Sequence, residues 1–380
     1  MIHEVPLGST RLHGAFSRDL SPVLSVDPGD SVRFSLPNSA WRLGPDEELE
    51  RPDPAVDTGH ALLGPIEVRG ARAGQTLAVR VDVVTPGGWG ETFDDAGNRV
   101  HWELHDGLGH TGGRTVRLAP FLGVLGMPPA ERGIHSTRPP RPTGGNIDCK
   151  ELVAGTTLFL PIAVDGALLS AGDGHGAQGD GEVSGWAIEC PVEGRLTLDL
   201  RDDLELAWPI ARAPDAWLAF GFDEDLGHAA RIALHGMLDL MERELGIRRD
   251  EALVLASVAV DAALFSAGDG HGAQGDGEVS GWAIECPVDG RLTLDVRDDL
   301  ELAWPIARAP DAWLTFGFDE DLGHAARIAL DGMLDLMERE RRIPRDEALV
   351  LASVAVDLRV TQIVNLAVGV HAVLRDDALG

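Results

Sequence analysis

The sequence predicts a β-rich α+β protein, in which an N-terminal barrel- or sandwich-like β module is followed by mixed β/α units, each with an amphipathic surface helix. Three observations carry this reading. Residues 1–150 are short alternating apolar runs cut by Pro and Gly, as in VLSVDPGDSVRFSL and LAVRVDVVTPGG, a period-two pattern with turn signals. From Asp223 the run DEDLGHAARIALHGMLDLMEREL changes to a 3.6 period, setting Leu226, Ala230, Ala233, Leu234, Met237, Leu238 and Met241 on one stripe. The tail LRVTQIVNLAVGVHAVL then alternates again.

Along the chain, the Pro- and Gly-rich residues 113–146 carry little periodicity and read as an ordered, irregular connection. Strands are expected near 183–190, 195–199 and 216–220, before a helix with Asp223 as its N-cap. The Met and Leu stripe of that helix is core packing. A shorter helix at 249–256 leads to a VAVD strand.

The chain contains a long near copy of itself. Residues 165–260 recur as 261–356, a unit of 96 residues in which nine positions differ. Solenoid repeats have periods of about 20 to 50 residues and diverge, so this is a tandem duplication of another kind. The tripeptide Ala-Val-Asp stands at 163–165, 259–261 and 355–357, which marks the joins; one copy removed leaves 284 residues. The expected organisation is an N-terminal module at 1–164, unit one at 165–260, unit two at 261–356, and a C-terminal strand and tail at 357–380.

Composition narrows the function. With 62 acidic against 32 basic residues the net charge is −30, which repels phosphate backbones and anionic lipid. Neither nucleic acid nor membrane is therefore an expected partner. No apolar run approaches the length of a spanning helix, and the first residues lack a signal-peptide pattern, so a cytoplasmic protein is expected. Three cysteines, at 149, 190 and 286, suggest no disulfide framework. Lys150 is the only lysine, which draws notice because an ammonium is a compact charge that guanidinium does not always replace.

One segment carries chemistry. Gly172 to Glu182, GDGHGAQGDGE, combines five glycines with five polar side chains and reads as a shaped loop whose backbone approaches a ligand closely. Asp173 and His175 stand two apart, hence on one side of an extended backbone, and carboxylate plus imidazole suits a divalent metal. The run lacks the G-K-[ST] ending of a phosphate cradle, the ligand spacing of an EF-hand and a G-x-S-x-G elbow. A structural Gly-rich turn is the alternative. A second cluster, Gly144 to Glu151, adds Asp148, Cys149 and Lys150; Cys149 is read either as a nucleophile or as the structural thiol that the general behaviour of buried cysteines favours.

The strings GGNIDCKELVAGTTLFLPI, GALLSAGDGHGAQGDGEVSGWAIE, GFDEDLGHAARIAL and SVAVDLRVTQIVN resemble the acetamidase/formamidase family. The likeness extends over essentially the whole chain once one repeat is removed. It implies a β-rich, oligomeric enzyme that hydrolyses short aliphatic amides, such as formamide and acetamide, to a carboxylate and ammonia. Two departures stand out, the duplication and Cys149, where the family is expected to carry Thr.

On this reading Asp148, Asp173 and His175 are expected to bind a metal, zinc first, with calcium or magnesium as alternatives, leaving a position for water. Glu182 is the expected general base and Lys150 the oxyanion partner, while Gln178 and Asp180 contact substrate or support the ligands. A single Asp148 allows one complete site per chain, so either unit one or the matching Asp269, His271 and Glu278 of unit two forms it. The competing readings are a catalytically impaired, metal-stabilised oligomer subunit and a non-catalytic small-amide-binding protein.

Overall fold

The computed structural model describes residues 1–266, 272–276, 302–363 and 367–380; for 262–266 and 272–276 only the backbone is described. Alternation in the N-terminal half is realised as expected: Asp30–Leu36 buries every second side chain against the core, from Val32 to Phe34 to Leu36. It joins a seven-stranded sheet in the order Ile2–Val5, Asp30–Leu36, Val192–Arg201, Thr76–Pro86, Thr157–Pro161, Ile210–Arg212, Trp217–Ala219. A six-stranded sheet runs Gly144–Asn146, Phe121–Gly126, Leu169–His175, Leu62–Val68 and Leu12–His13, with Leu24–Val26 pairing parallel to Leu62–Val68. A smaller sheet, Trp89–Phe93 to Arg114–Arg117, flanks them. Inward residues of both large sheets, including Val32, Leu77, Val79, Leu122 and Leu169, belong to one core.

The class is the expected β-rich α+β, but the sheets are open, with no closed barrel among the described residues. The 164/165 join is not an edge of either large sheet. Leu169–His175 and Val192–Arg201, from unit one, lie between strands of the N-terminal region. Three local expectations change. Phe121–Gly126 lies inside the stretch read as irregular, because its apolar run is buried on both faces and carries no alternation to read. Residues 183–190 form turns and isolated bridges rather than a strand. Gly172 to His175, read as loop, ends a central strand, since its glycines admit close neighbours: a Cβ on Gly174 would lie 2.6 Å from Cys190 O.

Among the described residues, four α-helices follow the amphipathic pattern: α1 (Leu226–Leu245), α2 (Arg249–Ala259), α3 (Leu322–Arg341) and α4 (Arg345–Ala355). The N-cap of α1 is Asp225, two residues beyond the expected Asp223, with Oδ1 accepting His228 N at 2.6 Å. Asp223 instead accepts Asp225 N and faces the His228 ring. A second seven-stranded sheet links the repeats in the order Gly221–Phe222, Gly272–Asp276, Asp261–Ser266, Val356–Gln362, Val368–Arg375, Ala312–Asp319, Ile306–Arg308. Among the described residues no helix is long and apolar enough to cross a membrane.

Candidate active site

Strand pairing brings the expected ligands together. Phe121 pairs with His175 and Val124 with Gly172, so Gly123 stands opposite Asp173. Gly123 O then accepts Ile147 N at 2.9 Å and Asp148 N at 3.2 Å, drawing the segment after Gly144–Asn146 over the same point. Asp148, Asp173 and His175 are all buried, and one ligand atom from each falls within 4.8 Å of the others. Gly123 is the floor of this cluster. A Cβ there would stand 2.6 Å from both Asp148 Oδ1 and Asp173 Oδ2 and 2.9 Å from His175 Cε1, so only glycine leaves the space.

His175 is oriented from both sides. Its Nδ1 faces Gln178 Oε1 at 2.9 Å, while Gln178 Nε2 donates to Asp148 O at 2.8 Å. An amide oxygen only accepts, so Nδ1 carries a proton and Nε2 is the nitrogen aimed at the carboxylates. It lies 3.2 Å from Asp173 Oδ1 and 3.2 Å from Glu189 Oε1. Phe121 packs edge-on against the ring at 4.9 Å. Asn146 Nδ2 donates to Asp148 Oδ2 at 2.6 Å.

Backbone strain marks the same residues. Asp148, Asp173 and Glu182 have φ of 51°, 63° and 41°, a left-handed region that costs L-residues about 1 kcal/mol or more each.

Glu182 and Glu189 form a second buried triad with His175. Glu189 went unread in the sequence, although a lone acid within the apolar run Ala187-Ile188-Glu189-Cys190 was a usable signal. Ser39 Oγ donates to Glu189 Oε2 at 2.7 Å and Ala187 N to Oε1 at 3.2 Å. The backbones of Glu189 and Glu91 exchange hydrogen bonds of 2.9 and 3.0 Å. Glu91, itself buried, is held by Arg42 at 2.8 Å and Arg99 at 2.8 Å.

So many acids around one imidazole set the ionisation. Burial works against the charge on His175, but Glu189 and Asp173 outweigh it and raise its pKa. Burial likewise opposes the Asp173 charge; His175 and His60 overcome it and hold that carboxyl well below the usual range. Burial, then the charge of Asp148, raises Glu182, and burial raises Glu189. This concentration of acids around one imidazole in a buried pocket, with a glycine floor, fits a divalent cation held by two carboxylates and one imidazole.

Lys150 and Asp180 stand in a neighbouring cluster. Lys150 Nζ lies 2.9 Å from Asp180 Oδ2 and 2.6 Å from Asp357 Oδ1. Burial opposes its charge, but Asp180 and Asp357 raise its pKa, while burial pushes Asp180 up to about 7 against the pull of Lys150. Cys149 is fully buried, donates to Glu151 Oε2 at 3.2 Å, and is pushed up by burial and then by Glu151, the reverse of an activated thiolate. Asp269, His271 and Glu278 lie outside the described residues.

Fold and site together define a β-rich α+β protein built around a buried carboxylate–imidazole cluster. Residues 126–212, which include Asp148, Asp173, His175, Glu182 and Glu189, match the model of the acetamidase/formamidase family. The likeness to that family thus covers the segment that carries the site. It is 52% identical over 254 residues to an acetamidase of Mycolicibacterium smegmatis, covering 45% of this chain and 61% of that protein. To a formamidase of Methylophilus methylotrophus it is 25% identical over 248 residues, covering 46% and 60%. The chain thus spans about three fifths of the length of each of these two relatives. The crystal structure of a predicted acetamidase/formamidase from Thermoanaerobacter tengcongensis superposes with a TM-score of 0.65 at 24% identity, over 72% of this chain and 95% of that one, a likeness of fold.

Proposed function

We propose that the protein is a metal-dependent amidohydrolase that converts short aliphatic amides, formamide and acetamide among them, to the carboxylate and ammonia. One observation carries the reading: Asp148, Asp173 and His175, all within the segment that matches the family, converge above Gly123, where a side chain would collide with their ligand atoms. These three residues would hold the cation, zinc by preference for the imidazole and carboxylate set, with calcium or magnesium as alternatives. When bound, the ion supplies Lewis acidity, which polarises an amide carbonyl and acidifies water.

The chain's own groups do the rest. Gln178 keeps the proton on His175 Nδ1 and so keeps Nε2 free to ligate. Glu182 takes a proton from the attacking water and returns it to the departing nitrogen, so that amide and water become carboxylate and ammonia with no other reactant. Ser39 holds Glu189 against the His175 edge of the pocket. Lys150 is the oxyanion partner in this proposal, its ammonium held by Asp180 and Asp357. The substrate walls and a homo-oligomeric assembly belong to the same proposal.

The test is ammonia release from formamide and acetamide by the purified chain, before and after exhaustive chelation and with each metal restored. Turnover that disappears with the metal and returns with it is expected. Binding without turnover points to an amide-binding protein, metal without turnover to an impaired subunit, and full turnover in metal-free protein removes the mechanism.

A further inference from the structure

The loop that carries Glu182 is fastened from outside by the end of the second repeat unit and the residues just after it. Gly179 N donates to Ser353 O at 2.9 Å, Ser184 N to Ser353 Oγ at 3.1 Å, and Ser353 Oγ to Trp186 O at 2.7 Å. Beyond α4, Asp357 Oδ1 accepts Asp180 N at 3.1 Å, and Leu358 N donates to Asp180 O at 2.8 Å. These bonds bracket Glu182 on both sides. They act on a residue whose φ of 41° is not self-sustaining, so a loosened loop relaxes toward ordinary backbone and withdraws the carboxyl from His175.

The same fastening residues recur at the end of unit one and at the position that follows it. The helices α2 and α4 share the sequence RDEALVLASVA, which matches Ser257 with Ser353, and Asp261 matches Asp357. Yet α2 does not take this position: Val254 is 66% exposed, whereas its counterpart Val350 is fully buried. We propose that the working site is a composite, with the loop of unit one clamped by the helix of unit two, and that Ser353 and Asp357 are positioning residues for Glu182 while Ser257 and Asp261 are not. The role of Glu182 rests on the amidohydrolase reading; the clamp itself does not.

The repeat provides its own control. Ser353→Ala and Ser257→Ala, each in the full chain, remove one hydroxyl from identical helices. Ser353→Ala lowers kcat on acetamide by about tenfold or more with KM and metal content nearly unchanged, as expected for a misplaced proton carrier. It also speeds amide hydrogen exchange at Gly179 and Ser184; Ser257→Ala does neither. Equal effects from the two variants, or an effect confined to the double variant, would mean that the helices are interchangeable and would overturn the assignment. If the wild type hydrolyses no amide, the proposed function fails, and the exchange rates still decide the clamp.

Discussion

The helical hairpins α1–α2 and α3–α4 differ little in sequence and greatly in surroundings. Their local structure is the same: Asp225 and Asp321 cap α1 and α3 through bonds of 2.6 Å to His228 N and His324 N, and Asp223 and Asp319 each face the following imidazole. Burial diverges. Met333 and Met337 of α3 are fully enclosed, while Met237 and Met241 of α1 are half-buried. Leu255 and Val258 of α2 are 39% and 46% exposed, against 0% and 7% for Leu351 and Val354 of α4. The reason is that the partner surfaces occur once. Val368–Arg375, which pairs with Ala312–Asp319 beneath α3, has no second copy, and neither does the face formed with Trp89–Phe93 and Arg99–His105 under α4. Sequence makes a helix amphipathic, but burial needs something to pack against. At about 1.5–3 kcal/mol per enclosed aliphatic side chain, the second hairpin gains more from the shared helical sequence than the first.

The same asymmetry applies to the site, where Asp148 and Gly123 are single. Asp173→Ala is expected to abolish stoichiometric metal binding and reduce turnover by orders of magnitude, whereas Asp269→Ala keeps a bound metal. Metal analysis of the two purified variants checks this, and loss in both would make the repeats equal partners. The next largest contrast is between the helices themselves. Val350→Asp buries a charge and should cost about 4 kcal/mol or more, seen in denaturant melts, while Val254→Asp at its exposed twin stays within about 0.5 kcal/mol. Similar losses would show that α2 is buried in solution.

Acid sharpens the comparison on the strand that only the second hairpin covers. Burial, and then Arg359, holds His371 down to about 4, and Thr361 Oγ1 lies 3.0 Å from its Nδ1. Between the ordinary imidazole value of about 6.5 and that lower one, the unfolded chain takes up a proton that the folded chain refuses. The stabilisation from the neutral ring is therefore intact above pH 6.5 and lost as the pH falls toward 4, by up to about 3 kcal/mol. His371→Gln should flatten the melting temperature over that range; an unchanged slope would place the titration elsewhere. The smallest effect is at the hairpin ends. Gly246 and Arg342 close α1 and α3 at φ of 67° and 56°, a conformation that glycine adopts freely. Arg342→Gly should stabilise by about 0.5–1 kcal/mol and Gly246→Ala should destabilise by a similar amount.

Much of this was legible along the chain. The Asp173 and His175 spacing and the amphipathic helices were written in local patterns that need no partner to read, whereas Asp148 reaches them only through the pairing around Gly123. Glu189 and Ser39 were not, because they reach His175 from distant strands and bends, and no fixed spacing links them. Lys150 was noticed for its rarity, but its two carboxylate partners, Asp180 and Asp357, come together only when unit one meets the residues after unit two.

By itself the sequence determined the β-rich α+β class, the 96-residue repeat and the helical faces, since these depend on residue type and short periodicity. Tertiary structure alone decided which of two identical helices is buried and which unit fastens Glu182. Identical sequences have identical propensities, and only the unrepeated surfaces against which they pack can tell them apart.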